Sequence, residues 1–396
     1  MREGWTRIAF GDVVRLSRER TSDPLADGFD RYVGLEHLDP GDLKIRRWGN
    51  VADGTTFTNV FRPGHVLFGK RRAYQRKVAV AAFDGVCSGD IYVLEPSDSH
   101  LSPEVLPLIC ESDAFFEHAL ATSAGSLSPR TSWERLAAFE LALPPQGQLE
   151  RLAALGSAVV STRAAYREAR EKAGDLRQST LISVFGGSLS MEPLCDTPIG
   201  PLPRSWAVER LDDRYEVQLG KRIAEKELAG DAVVPYIRNA NVQWDRLDLS
   251  DVKTILTTAS ERDFYALRNG DILACEGRHV GKSAIWSEEI AGAIYQMALH
   301  RLRVRSDRDV PEFMLRCLEY YSMTGRLAAD TAETTIPHLS AERFRVMLFP
   351  FPPRAEQEEI AQLLRSQSSA IRALDNRFSV VRNLSRRVAH DFVIEQ

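Results

Sequence analysis

Arg62-Pro63-Gly64-His65-Val66-Leu67 is answered later in the chain by Arg268-Asn269-Gly270-Asp271-Ile272-Leu273. Each is a turn signal followed by an apolar run, the local signature of a tight turn feeding a strand. The correspondence runs outward in both directions. Trp5 matches Trp206, and Arg31-Tyr32-Val33 matches Pro235-Tyr236-Ile237. Pro129 matches Pro337, and Pro144-Pro145 matches Pro352-Pro353. The offset grows from 201 residues at the tryptophans to 208 at the proline pairs, as in a duplication that later gained short insertions. Solenoid repeats run to about 20–50 residues, so a repeat this long is a whole domain with its trailing element. The expectation is one molecule carrying two similar surfaces.

At 396 residues the chain has room for two or three domains with separate cores. It holds no apolar run of about 18 residues, so no transmembrane helix is expected. Met1-Arg2-Glu3-Gly4-Trp5 carries an acid and lacks an apolar core, which is unlike a signal peptide. The five cysteines (Cys87, Cys110, Cys195, Cys275 and Cys317) are scattered, so neither a disulfide framework nor a zinc site is expected. These features point to a cytoplasmic protein with reduced thiols and no membrane partner.

A net charge of −4 argues, by itself, against a nucleic-acid partner. Its distribution argues otherwise. Between Lys44 and Lys77 stand Lys44, Arg46, Arg47, Arg62, Lys70, Arg71, Arg72, Arg76 and Lys77 against the single acid Asp53. A basic block of that kind steers a phosphate backbone. The matching stretch, Ser250 to Ser283, is balanced at five basic and five acidic residues.

Each half opens with short β-like runs and continues into a helical segment, about Pro103 to Ala121 in the first and about Pro311 to Ala329 in the second. The fold class is therefore α+β, with an α+β domain in each half. After Pro144-Pro145 the apolar period changes to 3.5 residues: Leu152, Leu155, Val159, Thr162, Tyr166, Ala169, Ala173 and Leu176. After Pro352-Pro353 the line is Leu364, Ile371, Leu374, Phe378, Val381, Ser385, Val388 and Phe392. Two long helices are expected, each unable to bury its stripe alone, so they should pack on each other. Gly186-Gly187-Ser188 and prolines 193, 198, 201 and 203 read as a linker. The expected division is 1–147 and 204–355 as domains, 148–186 and 356–394 as long helices, and 187–203 as the linker.

Three stretches carry candidate chemistry. Phe68-Gly69-Lys70-Arg71-Arg72-Ala73-Tyr74-Gln75-Arg76-Lys77 combines five cations with a tyrosine and an amide. Arg suits bidentate contact with guanine or phosphate, and Tyr74 and Gln75 add a stacking face and a base-edge partner; a solvated basic loop has the same composition. In Arg238-Asn239-Ala240-Asn241-Val242-Gln243-Trp244, an extended backbone puts Asn239, Asn241 and Gln243 on one face, suited either to adenine edges or to ordinary hydration. Gly270 to Ser283 ends in Gly281-Lys282-Ser283, yet Glu276 stands where a P-loop needs its leading glycine. That stretch more naturally forms a tight loop presenting Arg278, His279 and Lys282.

No catalytic constellation stands out. The chain lacks Asn-Pro-Pro-Tyr and Asp-Pro-Pro-Tyr, a glycine-rich cofactor loop, and a His-Glu-x-x-His helix. Asp271, Glu276 and Arg278 approach a nuclease set but lack its lysine. No catalytic and no metal-ligating residue is therefore assigned.

In their doubled order these residues resemble the specificity (S) subunits of type I restriction–modification systems, over almost the whole chain. The first half is similar in Phe68 to Arg72 with Val78-Ala79-Val80, and from Gly125 through Arg130, Trp133 and Phe139 to Pro145. The second is similar in Pro235 to Arg238, Gly270 to Leu273 with Gly277 and Gly281, Thr335 to Leu339, and Phe351-Pro352-Pro353 with Glu356-Gln357. The first copy departs from the usual Glu-Gln pair at Gln146-Gly147-Gln148.

The resemblance implies two target-recognition domains, each followed by a long helix, the helices packed as an antiparallel coiled coil. It implies a non-catalytic reader of double-stranded DNA with a bipartite target. Two methylation subunits and, through them, restriction subunits are the expected partners. S-adenosylmethionine, ATP and Mg would belong to those partners, with no cofactor held by this chain. The expected DNA-binding residues are Arg46, Arg47, Lys70, Arg71, Arg72, Tyr74, Gln75, Arg76, Lys77 and Arg130, then Asn239, Asn241, Gln243, Arg278, His279 and Lys282. The competing readings are a stand-alone nuclease or methyltransferase, and a coiled-coil adaptor that does not bind DNA.

Overall fold

The computed structural model describes residues 4–97, 101–223, 230–277, 279–327 and 338–390. Arg278, Thr335-Ile336-Pro337 and Phe392, named above, lie outside them. The chain divides into two compact units, Met1–Glu171 with Arg372–Gln396, and Lys172–Ile371.

In the first unit one four-stranded sheet is ordered Val14–Leu16, Ile91–Pro96, Val66–Gly69, Val78–Val80. A second is ordered Gly49–Asn50, Arg31–Val33, Gly85–Cys87, Asn59–Phe61, with a parallel pairing of Tyr32 to Val86 at its centre. The entry strand Thr6–Ala9 pairs antiparallel with Glu140–Leu143, which leads into the first long helix. The second unit has the same plan. Tyr215–Leu219, Leu299–Val304, Ile272–Cys275 and Ser283–Ile285 form its four-stranded sheet. Ala232–Ile237 again lies parallel to Ile294–Tyr295, and Ala207–Arg210 pairs with Leu348–Phe351.

The matched opening motifs build the same turn. Gly64 and Gly270 have φ of 90° and 88°, a conformation that glycine adopts without steric cost. In each turn the residue two before the glycine donates its backbone N–H to the side chain after it, Arg62 to His65 Nδ1 at 3.1 Å and Arg268 to Asp271 Oδ2 at 2.7 Å. The strands that follow, Val-Leu-Phe-Gly and Ile-Leu-Ala-Cys, are buried at every position. A strand covered on both faces reads as a continuous apolar run, not as an alternation.

The first long helix spans Gln146–Phe185 and the second Arg354–His390. The stripe expected on the first helix needs correction. Leu155, Thr162 and Leu176 are exposed. Leu152, which packs against the first unit's core, and buried Val159 keep to the expected stripe, while the line on that side also takes in Leu149, Ala153, Gly156, Val160, Arg163 and Arg167. A Cβ on Gly156 would stand 2.4 Å from Leu108 Cδ1, so the helix touches its own domain there with no room for a side chain. Arg163 belongs to this line because its guanidinium is satisfied by Glu111 (2.5 and 3.0 Å) and the Gly41 carbonyl (2.5 Å). An apolar-only pattern skips such a residue, whose stem packs while its head bonds.

On the second helix Leu364 is buried, and Ile371, Leu374, Phe378 and Val381 are partly buried. Within the first unit, Arg170 pairs with Asp375 at 2.5 Å and Arg167 lies 5.4 Å from the Phe378 ring. Within the second, Gln367 donates to Thr180 at 3.0 Å, and Arg177 donates to the Leu364 carbonyl at 2.6 Å.

The stretch expected as a linker is folded. Leu194–Cys195 pairs with Leu202–Pro203, and Leu202 joins the second unit's core beside Leu181, Val184 and Phe185. Gln357 explains the spacing of the Pro-Pro-x-x-x-Gln entry. It is fully buried, accepts from Val310 N at 2.9 Å, and donates to the Pro352 carbonyl at 2.9 Å. In the first copy the same place is taken by buried Leu149.

Candidate nucleic-acid interface

The basic loop of the first unit leaves the strand Val66–Gly69 and returns through Val78–Val80. Two left-handed residues bracket its single short turn, Arg72 at φ 55° and Arg76 at φ 53°. A second loop closes against it. Arg71 and Arg130 form an isolated antiparallel bridge, and Arg72 N donates to the Pro129 carbonyl at 2.8 Å. Asp90 fixes both arginines, accepting from Arg71 at 3.1 Å and from Arg130 at 2.8 Å. Burial alone would raise the Asp90 carboxyl; the bonds from Arg130 and Arg71 outweigh it and hold the group below its usual range. Ser128 takes a further bond from Arg71, at 3.0 Å, and one from Arg72, at 3.3 Å. Lys70 lies 4.7 Å from the Tyr92 ring. At the turn between the bracketing arginines, Tyr74 is 54% exposed.

The second unit builds the same brace from different residues. Gly277 and His338 form an antiparallel bridge, and Leu339 N donates to the Glu276 carbonyl at 2.8 Å. His338 Nε2 sits 3.3 Å from Glu276 Oε1. Burial raises the Glu276 carboxyl, with His338 opposing. Beneath the brace, buried His300 donates from Nε2 to the Leu339 carbonyl at 2.8 Å, and burial lowers its pKa to about 4. Gly281, at φ 80°, would drive a Cβ to 2.0 Å from Leu327 Cδ1, so the loop returns here on a glycine pressed against a buried leucine.

Not every expected contact faces outward. Arg46 is held by Asp42 (2.8 Å) and Glu171 (3.3 Å), Arg47 by Asp39 (2.8 Å). Arg76 turns away to pair with Asp113 and lie 4.7 Å from the Phe116 ring. Lys77 donates to the Leu35 carbonyl at 2.6 Å. Arg62 pairs with Glu19. The basic segment is thus far less charged than its local composition suggests, because acids from distant stretches answer it. Asp90 and Ser128, which organise the loop, carry no signal of their own in the sequence.

The strand face expected at Asn239, Asn241 and Gln243 is absent. Residues 238–241 form a turn, with Asn241 N donating to the Arg238 carbonyl at 2.9 Å. Asn241 is 2% exposed; it accepts from Arg238 N at 3.0 Å and donates to the Asp248 carbonyl at 2.8 Å. Its amide shapes the turn and offers nothing to a base. Asn239 is partly buried and Gln243 donates to the Ala240 carbonyl at 3.1 Å. Lys282 approaches Gln243 at 3.4 Å, His279 is exposed, and Trp244 is 38% exposed. Buried Arg316 holds the next residue, Asp245, at 2.6 Å.

The acids of the nuclease-like set are otherwise engaged. Asp271 accepts two bonds of 2.7 Å from Arg303. Among the described residues no group of three or more His, Cys, Asp or Glu is placed to hold a metal. None of the described helices is long and apolar enough to cross a membrane.

Residues 203–376 match the model of the type I restriction modification DNA specificity domain. The second half of the chain thus carries a stretch similar to that specificity domain. Among curated specificity subunits, the chain is similar to the type I restriction enzyme EcoDI specificity subunit of Escherichia coli, at 24% identity over 239 residues, covering 56% of this chain and 51% of the relative. It is also 24% identical over 191 residues to a putative type I restriction enzyme specificity subunit, MjaX, of Methanocaldococcus jannaschii, covering 47% and 44%. The chain thus spans about half the length of the curated specificity subunits it matches. A solved type I restriction–modification S subunit from M. genitalium shares its fold, with a TM-score of 0.62 at 12% identity over 99% of this chain and 96% of that one. A chain solved in work on complex assembly in the type I R-M system gives 0.55 at 20% identity, over 98% and 97%. The family match falls on the second unit and the helix after it, where the charge is balanced and no basic block draws the eye.

Proposed function

We propose that this chain is the DNA-recognition subunit of a type I restriction–modification complex, itself without catalytic residues. The observation that carries the reading is the doubled brace. Arg71 with Arg130, and Gly277 with His338, occupy matching places on matching sheets, and each presents a loop beside exposed or cationic side chains. Duplicated domains that differ at those loops suit a bipartite target, one half-site to each, read as double-stranded DNA.

In this reading each unit's sheets form a target-recognition domain, and the long helices pack as an antiparallel coiled coil. The order of the Arg170–Asp375 and Arg167–Phe378 contacts supports that packing. Two methylation subunits would bind the chain and carry S-adenosylmethionine. Restriction subunits, with ATP and Mg, would join through them in the cytoplasm.

Methylation-sensitive sequencing of host DNA with and without this gene tests the proposal. Loss of one split adenine-methylation motif on deletion is the expected result. Methylation unchanged in every motif, or activity of the purified chain alone with DNA, metal and S-adenosylmethionine, would overturn it.

A further inference from the structure

A groove of about 760 Å³ opens in the first unit beside the basic loop, walled by Arg15, Ser17, Arg18, Arg20, Glu95 and Trp133. Its charge is set by one segment, residues 15–20. The backbone from Ser17 to Thr21 is pinned as a strand would be: Ser17 N donates to Val93 O at 2.9 Å, Val60 N to Glu19 O at 3.0 Å, and Thr21 N to Thr58 O at 3.0 Å. Glu19 is not part of the wall and is neutralised by Arg62, while Arg18 and Arg20 both line it. The one acid in the wall, Glu95, is held by Arg15 at 3.0 Å and approached by His65 at 3.3 Å. Arg18 and Arg20 are exposed and form no ion pair among the described residues.

The groove is continuous with the braced loop. Trp133 meets the Tyr92 ring edge-on at 6.1 Å, and the Lys70 ammonium lies 4.7 Å from the centroid of the same ring. Burial, then the charges of Arg130 and Arg20, pull the Lys70 ammonium below its usual range against Asp90, so three cations converge where groove meets loop. The matching places in the second unit are Glu216, Leu219 and Lys221, and Lys221 is tied to Glu261.

We propose that this groove is a track for the sugar–phosphate backbone of bound DNA, with Arg18 and Arg20 as its phosphate ligands; the proposal rests on the DNA-recognition reading above. It makes the first unit the main source of electrostatic grip, by a route separate from its base contacts.

The test uses the full chain co-purified with its methylation partner, a randomised duplex library, and a salt series. Arg18→Ala and Arg20→Ala should each lower the slope of log affinity against log salt by about 0.9, the value for one phosphate contact. Affinity should fall for all sequences alike, with the enriched motif unchanged. Arg18→Lys should retain the slope, Lys221→Ala should leave it at the wild-type value, and thermal unfolding should be unaltered in all four. A wild-type slope in both alanine variants, with duplex binding intact, would discard the track and leave the recognition reading standing. A loss confined to one base position would also discard it, marking a base reader instead. Absence of duplex binding by the wild-type complex would remove both.

Discussion

Arg177 and Glu319 form a two-pronged ion pair, Nε to Oε1 at 3.1 Å and Nη2 to Oε2 at 2.5 Å. It ties the first long helix to the helix Pro311–Met323 inside the second unit. Glu319 stands at the repeat position of Glu111, which takes Arg163 of the same long helix inside the first unit. The duplication thus kept an acid and gave each copy its own arginine.

Removing Arg177 leaves Glu319 with the 3.4 Å contact of Arg316 alone and takes the donor from the Leu364 carbonyl. Arg177→Met is expected to destabilise the second unit by about 1–3 kcal/mol, while the double change Arg177→Met with Glu319→Leu recovers part of it. Chemical unfolding of the full chain reads both. Equal losses in the single and double variants would show that the ion pair is not what the arginine provides.

Asp90→Asn removes the carboxylate shared by Arg71 and Arg130 and should cost about 1.5–3 kcal/mol of stability near neutral pH. The folded carboxyl titrates below its unfolded value, about 3.9. The contribution is therefore present above that value and is lost as pH falls through the lower folded one. Unfolding midpoints of wild type and variant should converge in that acidic window. A constant gap down to strong acid would contradict the assignment.

Arg72 holds a left-handed backbone at φ 55°. Arg72→Gly relieves about 1 kcal/mol of backbone cost but deletes a cation. Thermal stability should stay level or rise while affinity for duplex DNA drops. A parallel fall of both would make the side chain structural.

His300 is neutral in the folded second unit, with its pKa lowered from 6.5 to about 4 by burial. Its contribution is complete above about 6.5, where the unfolded imidazole is also neutral, and declines as pH falls towards about 4. The loss across that window is on the order of 3 kcal/mol. His300→Gln keeps a donor for the Leu339 carbonyl and should flatten the acid limb of the stability–pH curve. An unchanged limb would place the acid sensitivity elsewhere.

Four residues inserted after Gly174, an exposed position on the first long helix, add about 6 Å of helix. The spacer in the methylated motif should lengthen while both half-sites keep their bases. Sequencing of host methylation reads this directly. Altered half-site bases would end the idea that the helices set the spacing.

The duplication, the α+β class and the two long helices are legible from residue order alone. Each of these is written in local order: Gly64 and Gly270 in their turns, apolar runs at the two buried strands, proline pairs before a helical period. The second helix's stripe was legible for the same reason, since Leu364, Ile371, Leu374, Phe378 and Val381 are all apolar.

Features that depend on partners distant in the chain emerge only once the chain is folded. The first helix's buried line includes Arg163 and Arg167, whose heads are satisfied by Glu111 and by Asp42. Five cations of the basic segment meet acids at positions 19, 39, 42, 90 and 113. Asn241 turns inward because the carbonyls it satisfies belong to the loop behind it. Charge and amide groups act through space, so their availability to DNA follows from which distant residues fold against them, a fact no window of sequence contains.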